Sequence, residues 1–151
     1  MATPPDRAHP VSARTGLPLI PRGQARRTAR CDGPAPAGLL AGIALFNRGA
    51  YWECHEILED QWRHEPDPVR YFYQGILLVG VGLYHLRRHN RHGALVKLRA
   101  GLALLAPYAP RCMGIDVDPL RHEVGDLLTA VERNDPEAGY PPPVISLDPP
   151  A

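Results

Sequence analysis

Glu53, His55, Glu56 and Glu59 fall in one short run, Tyr51-Trp52-Glu53-Cys54-His55-Glu56-Ile57-Leu58-Glu59-Asp60-Gln61-Trp62. An imidazole and a carboxylate four residues apart share one face of a helix. His55 and Glu59 could therefore pair with each other, act as a base and its partner, or hold a divalent metal. The run reads His-Glu-x-x-Glu, so it lacks the second histidine of the metalloprotease helix. It also lacks the Glu-x-x-His pair of di-iron bundles. A third ligand would have to come from elsewhere, and His85 is the candidate. In such a site Gln74 would face substrate as a hydrogen-bond or oxyanion donor. These ligands do not choose between zinc, iron and manganese.

The positions of these residues depend on the helix that carries them. Tyr51, His55, Leu58 and Trp62 recur at spacings of four, three and four. They therefore form one face, whose apolar members predict that it turns to the core. His55 is then drawn inward with Glu59 beside it, while Trp52 and Glu56 flank that edge. A buried imidazole or carboxylate needs a partner. The partners on offer are each other, Gln74 and His85 on the next helix, or a metal.

Proline sets the boundaries. Seven of the 18 prolines precede residue 37, six follow residue 135 and five lie between. That distribution predicts a Pro/Arg-rich flexible arm at 1–36, a helical domain at 37–135 and a Pro-rich tail at 136–151. The arm carries Arg7, Arg14, Arg22, Arg26, Arg27 and Arg30 against Asp6 and Asp32. It has too little apolar surface to repay its ordering. Its arginines are scattered and no aromatic residue interleaves them, so nucleic-acid binding is not expected.

The domain reads as all-α, a compact bundle of about five helices with irregular termini. The first, about 37–48, carries Leu39, Leu40, Ile43 and Phe46 on one face, and Gly49 suits a left-handed cap. The second spans about 50–65. The third starts at the Asp67 cap and Pro68 and runs to Arg88. It is apolar on all sides and so central. Gly75, Gly80 and Gly82 within it suggest closely approaching neighbours. The fourth covers 91–106. The fifth starts at Asp118-Pro119 and ends near Asn134. Val144–Leu147 is the one strand candidate.

Bulk composition excludes several classes. The formal net charge of +1 makes the whole chain no magnet for polyanions. Lys97 is the sole lysine, a mark of codon usage rather than of binding. The longest apolar stretch, 76–84, is far short of the ~20 residues of a bilayer span, and 1–30 lacks a secretory apolar core. A cytoplasmic location and no membrane partner are expected. Cys31, Cys54 and Cys112 are odd in number and widely spaced, so neither a disulfide framework nor structural zinc is expected, in line with a reducing compartment. Cys54 is expected to be a small core residue rather than a nucleophile. No Gly-x-Ser-x-Gly or phosphate-binding glycine loop is present.

The run from Phe46 to Trp62 resembles the signature of the family called domain of unknown function 309. That signature opens with phenylalanine, asparagine and a spaced glycine, here Phe46, Asn47 and Gly49, followed by aromatics, here Tyr51 and Trp52. It continues with Glu53, His55-Glu56, Leu58-Glu59 and Trp62. Farther on, Gln74-Gly75, Tyr84-His85, and Asn90 with Gly93-Ala94 match in order. Cys54 departs from the small, alanine-like residue expected there. The resemblance covers about 37–118 and implies a multihelical bundle. It places the polar positions at Glu53, His55, Glu56, Glu59 and Gln74 and supplies no reaction.

Function is therefore unknown from sequence, and whether the chain is an enzyme stays open. Two expectations can be separated. A module that binds a protein partner or self-associates predicts an exposed apolar patch on the first, fourth or fifth helix and a sealed His55 network. A small metal- or carboxylate-dependent hydrolase predicts an open pocket where the second and third helices meet. The candidate cluster common to both is Glu53, His55, Glu56, Glu59, Trp62, Gln74 and His85.

Overall fold

The computed structural model describes residues 24–134 and 141–148. Expectations for 1–23, 135–140 and 149–151 lie outside the described residues. Each of the five periodic segments is a helix: α1 (Ala37–Asn47), α2 (Tyr51–Arg63), α3 (Arg70–Arg87), α4 (Arg91–Leu105) and α5 (Val117–Glu132). The fold is all-α. A two-stranded antiparallel hairpin, β1 (Arg111–Cys112) with β2 (Ile115–Asp116), is its small exception.

α3 is central because its sequence is apolar around its circumference. Every residue from Tyr71 to Gly80 is buried. α2 packs on one side of it and α4 on the other; α1 covers α2, and α5 covers α4. Close approach explains two of the three helix glycines. A Cβ at Gly82 would lie 2.7 Å from Leu98 Cγ, and one at Gly75 would lie 3.0 Å from Leu105 Cδ2. Each glycine costs about 1 kcal/mol of helix propensity, which the leucine packing offsets. At Gly80 the nearest neighbours are 3.8 Å away, so contact does not require glycine there.

The helix ends follow local chemistry. Gly49 closes α1 at φ +78°, as the sequence predicts. Asn90 caps α4 by accepting the Gly93 N–H at 3.0 Å. The Asp67 carboxylate caps a turn by accepting the Val69 N–H at 2.8 Å, and α3 starts only at Arg70. α5 starts at Val117, ahead of the expected Asp118 cap. The hairpin leads directly into it, and the Val117 and Asp118 N–H groups both donate to Pro110 O. Pro119 then sits in the first turn, where a missing N–H costs nothing.

Two expectations need correction. Cys31 and Cys112 form a disulfide across 81 residues of chain. Spacing could not show this, because the intervening helices fold back and bring both cysteines together. The segment 24–36, assigned to the flexible arm, is docked. It forms a short 3-10 helix at Ala29–Asp32 with Cys31 buried. Arg27 donates to the carbonyls of Tyr108 and Arg111. Thr28 Oγ1 donates to Asp67 at 2.8 Å. Arg30 makes a two-point pair with Glu65, at 2.9 and 2.6 Å. Glu65 is buried and also accepts from the Tyr73 hydroxyl at 2.8 Å. The low apolar content of this segment is made up by charge-assisted bonds.

The tail is docked at its described end. Asn47 grips Ile145 at both backbone groups: Nδ2 donates to its carbonyl at 2.9 Å, and Oδ1 accepts its N–H at 2.8 Å. Ile145 is buried, and Leu147 makes an isolated antiparallel bridge to Ile115. The expected strand is reduced to that bridge. No helix among the described residues is long and apolar enough to cross a membrane.

Candidate functional site

α2 presents Tyr51, Leu58 and Trp62 to the core as its spacing predicts, together with Cys54. His55 and Glu59 stand at the edge of that face. His55 Nε2 lies 3.0 Å from Glu59 Oε2, with side chains 18% and 21% exposed. The pair is thus partly buried and not sealed. Arg63 closes on the other Glu59 oxygen from one turn farther on. His55 Nδ1 is buried without a partner among the described residues. Glu53 and Glu56 are exposed and stand apart from this pair.

The other candidates divide between the core and the far end of α3. Trp62 is buried, with the Arg70 guanidinium 3.9 Å from its ring centroid. Gln74 is buried at 3% exposure, and its Oε1 lacks a partner among the described residues. His85 faces α4, where its Nδ1 lies 3.3 Å from Asn90 Nδ2. A Cβ at Gly93 would come within 3.0 Å of its ring. Burial, and then the charge of Lys97, hold His85 below the ordinary histidine pKa. Among the described residues no group of three or more His, Cys, Asp or Glu could hold a metal ion. His85 is turned to Asn90 and Gly93, whereas His55 is paired with Glu59 on α2. Burial pushes the Cys54 thiol up to about 12, which suits a core residue and not a thiolate nucleophile.

What the α2 motif does assemble is a set of rings. Trp52 is 47% exposed. Its ring lies 4.8 Å from His55 and 5.3 Å from Tyr84, centroid to centroid. Tyr84 in turn lies 6.0 Å from His85 and has the Arg88 guanidinium 5.5 Å above it. Trp52 and Tyr84 meet because α2 and α3 are joined by a short turn and run back along each other. Spacing along one helix could not reveal that contact. Of the expected apolar patches, α1 contributes exposed Leu40, while the other large exposed apolar residues among those described are Trp52, Val144 and Leu147.

A cavity of about 500 Å³ lies away from the His55 pair. It opens between the α1–α2 turn, the end of α3, α5 and the tail. Its lining includes Asn47, Arg48, Gly49, Tyr51, Arg87 and His89, but none of the seven cluster residues. Sequence reasoning missed Arg48, Arg87 and His89. The signal available was Asn47-x-Gly49, which shapes the rim.

These features define a class: a small helical domain with a His/Glu-bearing second helix packed along a glycine-containing central one. The family model described as Domain of unknown function (DUF309) matches residues 39–96 of this chain. The match runs from α1 into α4 and so contains the whole candidate cluster. The chain is also similar to "Uncharacterized protein YpuF" of Bacillus subtilis (strain 168). The two are 47% identical over 45 residues, 29% of this chain and 26% of that protein. The match thus spans about a quarter of that relative's length.

Proposed function

We propose that this domain is a binding module that engages a protein partner, or a second copy of itself, through the ring face of α2 and α3. The observation that carries this reading is Trp52, which is nearly half exposed between His55 and Tyr84. Tryptophan, tyrosine and arginine dominate binding energy at protein interfaces. A tryptophan fixed by neighbouring rings offers large apolar area with little rotamer entropy left to lose. The His55–Glu59 pair then orients one of those rings. The test is sedimentation of the protein and of Trp52→Ala from low to high micromolar concentration, followed by cross-linking in cells. Concentration-dependent association, or a defined cross-linked partner, that Trp52→Ala abolishes supports the reading. Association unchanged by Trp52→Ala removes it.

A second reading, metal-dependent hydrolysis, has one observation in its favour. His55 and Glu59 sit within ligand distance of a common point, and His55 Nδ1 is unpartnered among the described residues. Its test is the metal content of chelator-free protein beside the His55→Ala/Glu59→Ala variant. Near-stoichiometric divalent metal lost in the variant would establish it. A cytoplasmic location is the remaining expectation. The Cys31–Cys112 bond is the observation against it, because disulfides are rare in reducing compartments.

A further inference from the structure

The Asn47-x-Gly49 turn, which the ring face does not use, forms the rim of the 500 Å³ cavity. That volume lies within the roughly 300–1,000 Å³ typical of small-molecule sites. Its floor is apolar, with Phe46, Leu83, Leu86 and Leu127 from three helices, and Val144 from the tail at its mouth. Among the described residues its lining carries the basic side chains Arg48, Arg87 and His89 and no aspartate or glutamate.

Arg87 is the organised member. Its guanidinium lies 4.7 Å from the Tyr51 ring centroid. It also packs against Gly49, where a Cβ would come within 2.9 Å of Nη2. Gly49 is required for its φ of +78°, and its lack of a side chain leaves the Arg87 guanidinium free to lie against the turn. The tail wall is fixed by the two-point grip of Asn47 on Ile145 and by the Val144 N–H, which donates to Glu123 at 3.2 Å. Among the described residues neither Arg48 nor Arg87 has a carboxylate partner in an ion pair. The C-terminal ends of α1 and α3 bring partial negative charge to this region, of about half a unit each. Two full guanidinium charges and the positive N-terminal end of α2 outweigh them.

We infer that this cavity binds a small organic anion, a carboxylate or phosphate carried on an apolar body, with Arg87 and Arg48 holding the anionic group and the leucine floor the rest. An anionic head meets guanidinium donors that no described carboxylate neutralises, and the apolar body removes the floor from water. This site is separate from the Trp52 face.

The test is titration of the full chain with octanoate and with octyl phosphate, followed by calorimetry and amide chemical shifts. Octanol and inorganic phosphate serve as controls. The expected result is that at least one of the two amphipathic anions binds and shifts the amides of Gly49, Arg87 and Val144. The tighter of the two identifies the carboxylate or phosphate source. Arg87→Gln is expected to weaken binding by about tenfold or more. Because Arg87 supports Tyr51, Val144→Trp provides a second check. It blocks the mouth from an exposed position and is expected to abolish binding with an unchanged melting temperature. Trp52→Ala is expected to bind normally, which separates this site from the ring face. Octanol binding as tightly as octanoate would reduce the cavity to an apolar hollow and overturn the inference. Inorganic phosphate matching octyl phosphate would reveal only adventitious surface charge and overturn it equally, as would no binding by either amphipathic anion.

Discussion

Glu65 and Glu59 are both carboxylates at the α2–α3 junction, and they have opposite surroundings. Glu65 is buried and saturated: Arg30 binds both its oxygens, Tyr73 donates to one, and the Asp67 N–H donates to the other. Glu59 is part exposed and shared between His55 and Arg63, and its histidine partner keeps a buried nitrogen with no partner among the described residues. A polar group that serves the fold is expected to have its hydrogen-bonding capacity filled from within the chain. By that criterion the Glu65 network holds the structure together, whereas the part-exposed His55–Glu59 pair and the exposed Trp52 ring are less tied to it.

The largest effect is expected on the saturated side, which the disulfide also ties. Reducing Cys31–Cys112, or replacing both with serine, is expected to cost about 2–4 kcal/mol, since the bond closes a long loop. Urea unfolding with and without reductant measures it, and coincident curves would mean that the non-covalent contacts alone hold segment 24–36. Glu65→Ala comes next, at about 2–3 kcal/mol. It strands the buried Tyr73 hydroxyl, while half-exposed Arg30 returns to water and adds little. Glu65→Gln keeps an acceptor for Tyr73 and is expected to lose roughly half as much. His55→Ala is expected to lie within about 0.5 kcal/mol of the parent protein. It removes an i,i+4 pair of that size and gains alanine's helix propensity. A loss well above 1 kcal/mol would place the His55 face with Glu65 as structural and erase the contrast.

The two sides also differ in how far they can be read from sequence. Period and punctuation suffice for the five helices, because Tyr51, Leu58 and Trp62, or Leu120, Val124, Leu127 and Val131, are local patterns with local consequences. The His55–Glu59 pairing is equally local. The Glu65 network is not. Its partner Arg30 is 35 residues away, in a stretch whose composition alone indicates no order. The disulfide and the Asn47–Ile145 grip escape for the same reason: each joins residues at opposite ends of the domain. Placing His85 beside His55 fails for a rotational reason. Tyr84 and His85 are successive residues, so when Tyr84 turns to Trp52 on α2, His85 turns to α4.

His85 provides the smallest and most specific comparison, because it is a motif residue held by internal partners. Asn90 is fixed through its Oδ1, which accepts the Gly93 N–H, so its Nδ2 points at His85 Nδ1. A donor so placed favours the unprotonated ring nitrogen. Burial, and then Lys97, act in the same direction and hold the folded pKa below 6.5. The unfolded chain therefore binds the proton more readily. The contribution of His85 to stability is fully present above pH 6.5 and is lost as pH falls from there to the lower folded value. The expected observation is a urea midpoint that drops on acidification through this window, by less in His85→Gln than in the parent. If the two proteins follow parallel curves, His85 titrates as freely as an exposed histidine and the Asn90 contact does not discriminate between its charge states. If the slope is steeper in the parent, this part of the motif belongs with Glu65 in structural service. Trp52 and its neighbours His55 and Tyr84 would then be the portion left for binding.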